Sequence, residues 1–195
     1  IDDTIVPKFG CKFESVSKLF DHSYHKGSKF LNGHCFVSLT ICIPVSRNGK
    51  IHYMSIPLGY KMRQKEKSKM ALAADMVSQI MPVLSNINQV ILLFDSWYAK
   101  NDMTSLVSKY SNLDIICSTR CDSVLYDLPP ERTGKRGRPA KHGKRLSIYD
   151  DFTLSDDKIG NYFIGYRKVI SNIFSDLTIM AYVTASNKTG SGRRL

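Results

Sequence analysis

Acid is short in this sequence relative to base: 28 lysines and arginines stand against 17 aspartates and glutamates, and glutamate occurs only at Glu14, Glu66 and Glu131. The resulting net charge of +11 favours polyanionic partners, nucleic acid first and an anionic membrane second. Long apolar runs are also missing. Nothing approaches the roughly 18 residues a membrane span needs, and no basic-plus-apolar signal segment opens the chain. The expectation is a soluble, cytosolic protein with no membrane partner. Cysteine is sparse and odd in number (Cys11, Cys35, Cys42, Cys117, Cys121), which suits reduced thiols better than a disulfide framework. Cys117 and Cys121 with His142 lack the paired spacing that completes a zinc site, and His22, His25, His34 and His52 show no ligand spacing. A starting methionine is absent too. The chain opens on Ile1-Asp2-Asp3-Thr4 and closes on Gly192-Arg193-Arg194-Leu195, and reads as an internal segment of a longer protein.

What is present is enough for one good core: 195 residues, 43% of them hydrophobic. Ile1 to Val6 is rich in β-branched residues and predicts a strand carrying Asp2 and Asp3. Residues 7–32 show no sustained period and are expected to be irregular. Cys35, Val37, Leu39, Ile41 and Ile43 alternate with Phe36, Ser38, Thr40 and Cys42, the period of a strand; Asn48-Gly49 then signals a tight hairpin, with residues 51–58 as the returning strand. Pro57 places the end or edge of that strand there. Met70, Ala73, Ala74, Val77, Ile80, Met81 and Leu84 recur at helical spacing, with lysines gathered at the start and Pro82 near the end. Val90-Ile91-Leu92-Leu93-Phe94 is an uninterrupted apolar run, expected to be a strand buried on both faces and closing on Asp95. A helix over 102–110 and a strand over 113–118 follow. The order predicts an α/β fold, a mixed sheet with flanking helices.

Composition changes after Arg120. Residues 131–145 (ERTGKRGRPAKHGKR) are dense in Lys, Arg and Gly, and β-rich segments return over 159–173 and 177–184.

Three groups of residues carry chemistry. The first is the carboxylate pair. Two-metal phosphodiester hydrolysis needs acidic oxygens around cations about 3.5–4 Å apart, and Mg²⁺ suits carboxylates while keeping positions for water and phosphate. Strands bearing Asp2-Asp3 and Asp95 can supply these oxygens if they are sheet neighbours, although strand-end acids are common and solvated ones more so. The second is Arg136-Gly137-Arg138-Pro139, the pattern of an AT-hook, in which an extended backbone lets arginines enter a narrow minor groove; the plain alternative is a solvated basic loop whose cations meet phosphates irrespective of sequence. The third is Tyr162, Phe163 and Tyr166 beside Arg167 and Lys168, a set that can stack on unpaired bases but on a strand is more often cross-strand packing.

With these residues stated, the chain resembles the DDE transposases of bacterial insertion sequences. The likeness is carried by Ile1-Asp2-Asp3-Thr4, Gly33-His34, Leu92-Leu93-Phe94-Asp95-Ser96-Trp97-Tyr98, and Gly134-Lys135-Arg136-Gly137-Arg138-Pro139 with Lys141 and Gly143. The resemblance implies a ribonuclease-H-like mixed sheet with flanking helices, interrupted after the third core strand region by a basic loop and β-rich insertion. Residues 1–120 would be the first part of the catalytic core and 121–195 the loop and start of the insertion. It implies Asp3 as the first catalytic metal-binding carboxylate, with Asp2 as the other candidate, and Asp95 as the second. It further implies two Mg²⁺ or Mn²⁺ ions, transposon-end and target double-stranded DNA as partners, a homodimer on DNA, and a bacterial cytosolic, nucleoid-associated setting. Lys135, Arg136, Arg138, Lys141, Lys144 and Arg145 would contact the DNA. The family's third acid is a helical Glu after the insertion. None of the three glutamates here has that context, so it is expected beyond Leu195, and the segment alone is expected to be inactive. The alternative is a DNA-binding module or decayed transposase that uses the basic loop without catalysis.

Overall fold

The computed structural model describes residues 1–10, 12–21, 29–131, 137–175, 177–189 and 192–195. In chain order its elements are β1 (Asp2–Pro7), β2 (Ser17–Phe20), β3 (Phe30–Arg47), β4 (Lys50–Met62), α1 (Lys69–Ile80), β5 (Val90–Phe94), α2 (Asn101–Thr104), α3 (Leu106–Lys109), β6 (Leu113–Cys117), β7 (Leu125–Tyr126), β8 (Arg145–Leu146), β9 (Phe163–Ser171) and β10 (Thr178–Ala185). The class is mixed α/β and rich in strands. The chain divides into two compact units, one of Ile1–Phe94 with Leu106–Ile115, the other of Asp95–Ser105 with Ile116–Leu195.

The first unit is built on β3, which pairs antiparallel with β1, β2 and β4. The period-two pattern read from the sequence sets which side faces in: Cys35, Val37 and Leu39 are buried. The strand continues well past them to Arg47, and its outer half, with Ile43, Val45, Ile51, Tyr53 and Met54 around it, is exposed. The turn joining it to β4 has Asn48 and Gly49 both at positive φ, 52° and 72°, the two-residue hairpin turn that Asn-Gly favours. Pro57 does not end β4. It lies on the edge strand opposite a register shift between Leu39 and Thr40, so the missing amide donor is absorbed at a bulge. The segment expected to be irregular contains β2, whose Leu19 is buried.

Helix α1 begins where Ser68 caps it, its hydroxyl accepting from the Ala71 amide at 3.0 Å, and it buries Leu72, Ala73, Met76 and Val77. Met81 is the C-cap and Pro82 follows it.

β5 pairs with β6, and the Ile1 amino group donates to the Leu93 carbonyl at 2.9 Å, which ties the start of β1 to the end of β5 inside this unit. The expectation that β5 is buried on both faces is corrected. Leu92 and Phe94 are each 7% exposed, whereas Ile91 and Leu93 are 49% and 53% exposed. An apolar run reports the side chains a strand offers, not which of its faces is covered.

The second unit holds a sheet in the order β10-β9-β7-β8. Its core is Leu125, Leu146, Ile148, Phe152, Val169, Ala181 and Val183. The expected helix over 102–110 is two single turns, α2 and α3, parted at Ser105. α2 belongs to this second unit: the Thr104 hydroxyl donates to the Ile173 carbonyl at 2.8 Å and Ser175 to Asn101 Oδ1 at 2.9 Å. Among the described residues no helix is long and apolar enough to cross a membrane.

Gly33 shows how tightly the first sheet is built, since a Cβ there would lie 2.5 Å from the Val6 carbonyl oxygen. Gly33→Ala is expected to cost about 1–3 kcal/mol in urea unfolding. Gly59→Ala, whose Cβ would meet only the Met76 methyl at 3.8 Å, should stay within about 0.5 kcal/mol.

Candidate functional site

Asp3 is placed by register. It stands opposite Val37, whose side chain is fully buried, and residues directly opposite in an antiparallel pair share a face. Its carboxyl is therefore turned to the inner side of the sheet and is 16% exposed. Asp2 stands opposite Ser38 and is exposed, with its Oδ1 accepting from the Asp3 amide at 2.8 Å.

The Lys69 and Cys35 side chains meet Asp3 Oδ2. The Lys69 ammonium donates to it at 2.9 Å from the first turn of α1, itself only 19% exposed, and the Cys35 thiol donates at 3.6 Å. A lysine in a first helical turn is disfavoured by the helix dipole; contact with a partly buried carboxylate offsets that cost. Burial, followed by the Asp3 charge, pushes the Cys35 thiol up to about 11. It is held as the neutral thiol, a donor to the carboxylate and not a nucleophile. Arg63 adjoins through its amide, which donates to the Cys35 carbonyl at 2.7 Å. Neither Lys69 nor Cys35 was singled out by sequence. Lys69 was one lysine among several at the helix start, and nothing local marks a partner 66 positions away.

Asp95 follows β5 directly and belongs to the second unit. Its Oδ1 accepts from the Trp97 amide at 3.0 Å and its carbonyl from the Tyr98 amide at 3.2 Å, a side-chain-closed turn that fixes the carboxyl while leaving the residue exposed. Tyr98 is fully buried and anchors that turn; Trp97 is half exposed.

In the basic stretch, Lys135 and Arg136 lie outside the described residues. Arg138, Lys141, Lys144 and Arg145 are all exposed. The returning limb is fastened to residue 127 from both sides: Gly143 N to Asp127 O at 2.8 Å and Asp127 N to Lys144 O at 2.9 Å. A Cβ on Gly143 would meet the Leu128 carbonyl oxygen at 2.6 Å, so only glycine permits this approach. Lys144 pairs with Asp151, whose carboxyl this contact and the Ser147 amide hold below the usual carboxylate range. Because the folded value is depressed, that fastening is present above the ordinary aspartate range and is lost as pH falls through the lowered one.

Glu14, Glu66 and Glu131 are exposed and none lies on a helix. Among the described residues no three His, Cys, Asp or Glu side chains are grouped to hold a metal ion. The family model described as DDE superfamily endonuclease matches residues 1–161. The chain belongs to that family. Neither a curated protein nor a solved structure matches it. As a DDE superfamily endonuclease it falls with nuclease-type enzymes, in line with the transposase resemblance in its motifs.

Removal of the Lys69 ammonium takes a counter-charge away from a partly buried carboxylate. Lys69→Met should destabilise by about 1–3 kcal/mol, and Asp3→Asn placed on top of it should recover part of that loss. A double-mutant cycle by urea unfolding reads the coupling; additive effects would mean that the pair carries no interaction.

Proposed function

We propose that the chain is the catalytic part of a DNA transposase. A ribonuclease-H-like core, interrupted by the basic loop and β-rich insertion, hydrolyses phosphodiesters at transposon ends and joins the freed strand to target DNA. The observation that carries this reading is the inward carboxylate of Asp3, already in contact with a cation inside the span matched to the endonuclease family.

Asp3 and Asp95 are the two metal-binding carboxylates on this reading, and a glutamate following the insertion is the third. The donor chemistry suits a hard divalent ion. Asp3 presents a partly buried oxygen that stabilises positive charge, and Asp95 presents an exposed carboxyl fixed by the Trp97 amide. Mg²⁺ or Mn²⁺, two ions in the full site, supplies charge neutralisation at the phosphate and a more acidic attacking water. Asp3 contributes Oδ2 on a rigid strand, and Lys69 keeps that oxygen oriented. Trp97 and Tyr98 hold Asp95 in place.

In the first reaction a water oxygen bonds to phosphorus and the bond to the 3′-oxygen breaks, leaving a 3′-hydroxyl and a 5′-phosphate. In the second that hydroxyl attacks a target phosphodiester and displaces the target's 3′-oxygen. Arg138, Lys141, Lys144 and Arg145, with Lys135 and Arg136 before them, meet double-stranded DNA at its phosphates. The Arg-Gly-Arg-Pro run has the chemistry for an A·T minor groove, and two copies act together on DNA. A second reading, a DNA-binding module without catalysis, draws on the exposed cations Arg138, Lys141, Lys144 and Arg145, which can meet phosphates with no metal site.

Two measurements separate these. In the protein that carries this chain, Mn²⁺-dependent nicking of supercoiled DNA should fall by about a hundredfold or more in Asp3→Ala and in Asp95→Ala; nicking that persists in both would remove the enzymatic assignment. Arg138→Ala with Lys141→Ala should weaken duplex binding at all sequences and shrink the slope of log affinity against log salt by about one per cation lost. An unchanged slope would take the basic loop out of the interface.

A further inference from the structure

The two faces of the sheet β10-β9-β7-β8 differ sharply in chemistry. Register fixes the inner face: Gly165, Val169, Ala181 and Val183 are buried there, and Leu125 opposes both Ser171 and Leu146. The positions between them point outward. One outward row runs Thr178, Ile170, Tyr126, Arg145 across all four strands, covered at the buried Ile170; the next pairs Met180 with Lys168, and the next Tyr182 with Tyr166, and these two rows are the open part of the face.

Tyr166 and Tyr182 are 69% and 56% exposed on the β9–β10 side of this face, with ring centroids 5.9 Å apart and planes tilted by 37°. Cross-strand packing explains their contact with each other but not their exposure. Met180 is exposed beside them, and His142 from the basic stretch stacks on Tyr126 at 3.8 Å. No carboxylate stands at any outward strand position. The sheet's acid is on the other side, where Asp127 pairs with Arg167 at 2.6 Å. Lys168 and Arg145 are the charges at the outward strand positions, and Arg145 continues directly from the basic stretch.

We infer that this face is a binding platform for unpaired DNA, with bases stacking on Tyr166 and Tyr182 and phosphates meeting Lys168 and Arg145. Aromatic faces accept any base, and cations beside them track the backbone. A protein partner or a second copy would find aromatic surface here as well, but the outward strand positions carry cations and no acid, which favours a polyanion. The inference deepens the proposed function by assigning the single-stranded part of the DNA substrate, and it rests on the chain being DNA-acting.

The test is performed in EDTA, so that it is independent of catalysis. An oligo(dT) of about 20 nucleotides carrying one 2-aminopurine is titrated with the chain, beside a duplex of equal length. Tyr166→Ala with Tyr182→Ala should weaken oligo(dT) binding about tenfold or more and abolish the 2-aminopurine quench, while duplex affinity stays as in the parent. Tyr166→Phe with Tyr182→Phe should keep both signals, which separates lost stacking from lost fold. Lys168→Gln should lower the salt slope for oligo(dT). Oligo(dT) affinity unchanged in the double alanine variant overturns the inference. So does a change in oligomeric state at unchanged affinity, which would assign the face to a second copy. Failure here leaves metal-dependent nicking through Asp3 and Asp95 intact, so the two readings fail separately.

Discussion

The register between β1 and β3 is the constraint on which the candidate site depends. Side chains alternate along a strand with a period of two, so a slip of one residue would exchange the faces of the whole of β1. With Asp3 opposite Val37 and Ile5 opposite Cys35, Asp3 and Ile5 share the inner face of β1, and a carboxyl is carried inward beside an apolar residue. The apolar series along β3 holds that register, because sliding it would lift Cys35, Val37 and Leu39 out of the core. The choice between Asp2 and Asp3 as the inward acid thus follows from hydrophobic burial in a neighbouring strand, not from anything in the Asp-Asp dipeptide. A carboxylate placed there needs a counter-charge, and α1, packed on β3, supplies it through Lys69.

How much of this could be read in advance depends on how local the cause is. The alternation of β3, the Asn48-Gly49 turn, the helical spacing from Met70 to Ile80 and the strand ending at Asp95 are written in consecutive residues, and the elements formed as expected. β2, β7 and β8 were not legible, because strands of two to four residues exist only through the partner they pair with. The single helix expected over 102–110 failed at Ser105, where the halves divide between different compact units. β5 failed in a third way. Its sequence names an apolar strand correctly, but coverage of Ile91 and Leu93 is a property of what lies against them. For the site, the inward turn of Asp3 was within reach of pattern reasoning once β3 was aligned with β1. Its contacts with Lys69 and Cys35 were not, since both depend on packing over long sequence separations.

Charge in the second unit is distributed by the same logic. A surplus of cations can be tolerated on a folded surface only where acids do not cancel them and repulsion is relieved by solvent. Among the described residues several acids are engaged locally: Asp127 with Arg167, Asp151 with Lys144 and the Ser147 amide, Asp122 with Arg120. The Asp151 contact also fastens the limb that returns from the basic stretch into β8, beside backbone bonds at Asp127, so part of the acid complement serves to position basic chain and not to neutralise the surface. What remains outward on the sheet is cationic and aromatic. Exposed rings beside cations lose little conformational entropy when they meet a flat partner, because a tyrosine has few torsions to fix. The surface therefore combines charge that attracts phosphate at a distance with rigid faces that reward contact at short range, and the alternation of β9 and β10 keeps both on one side of the sheet.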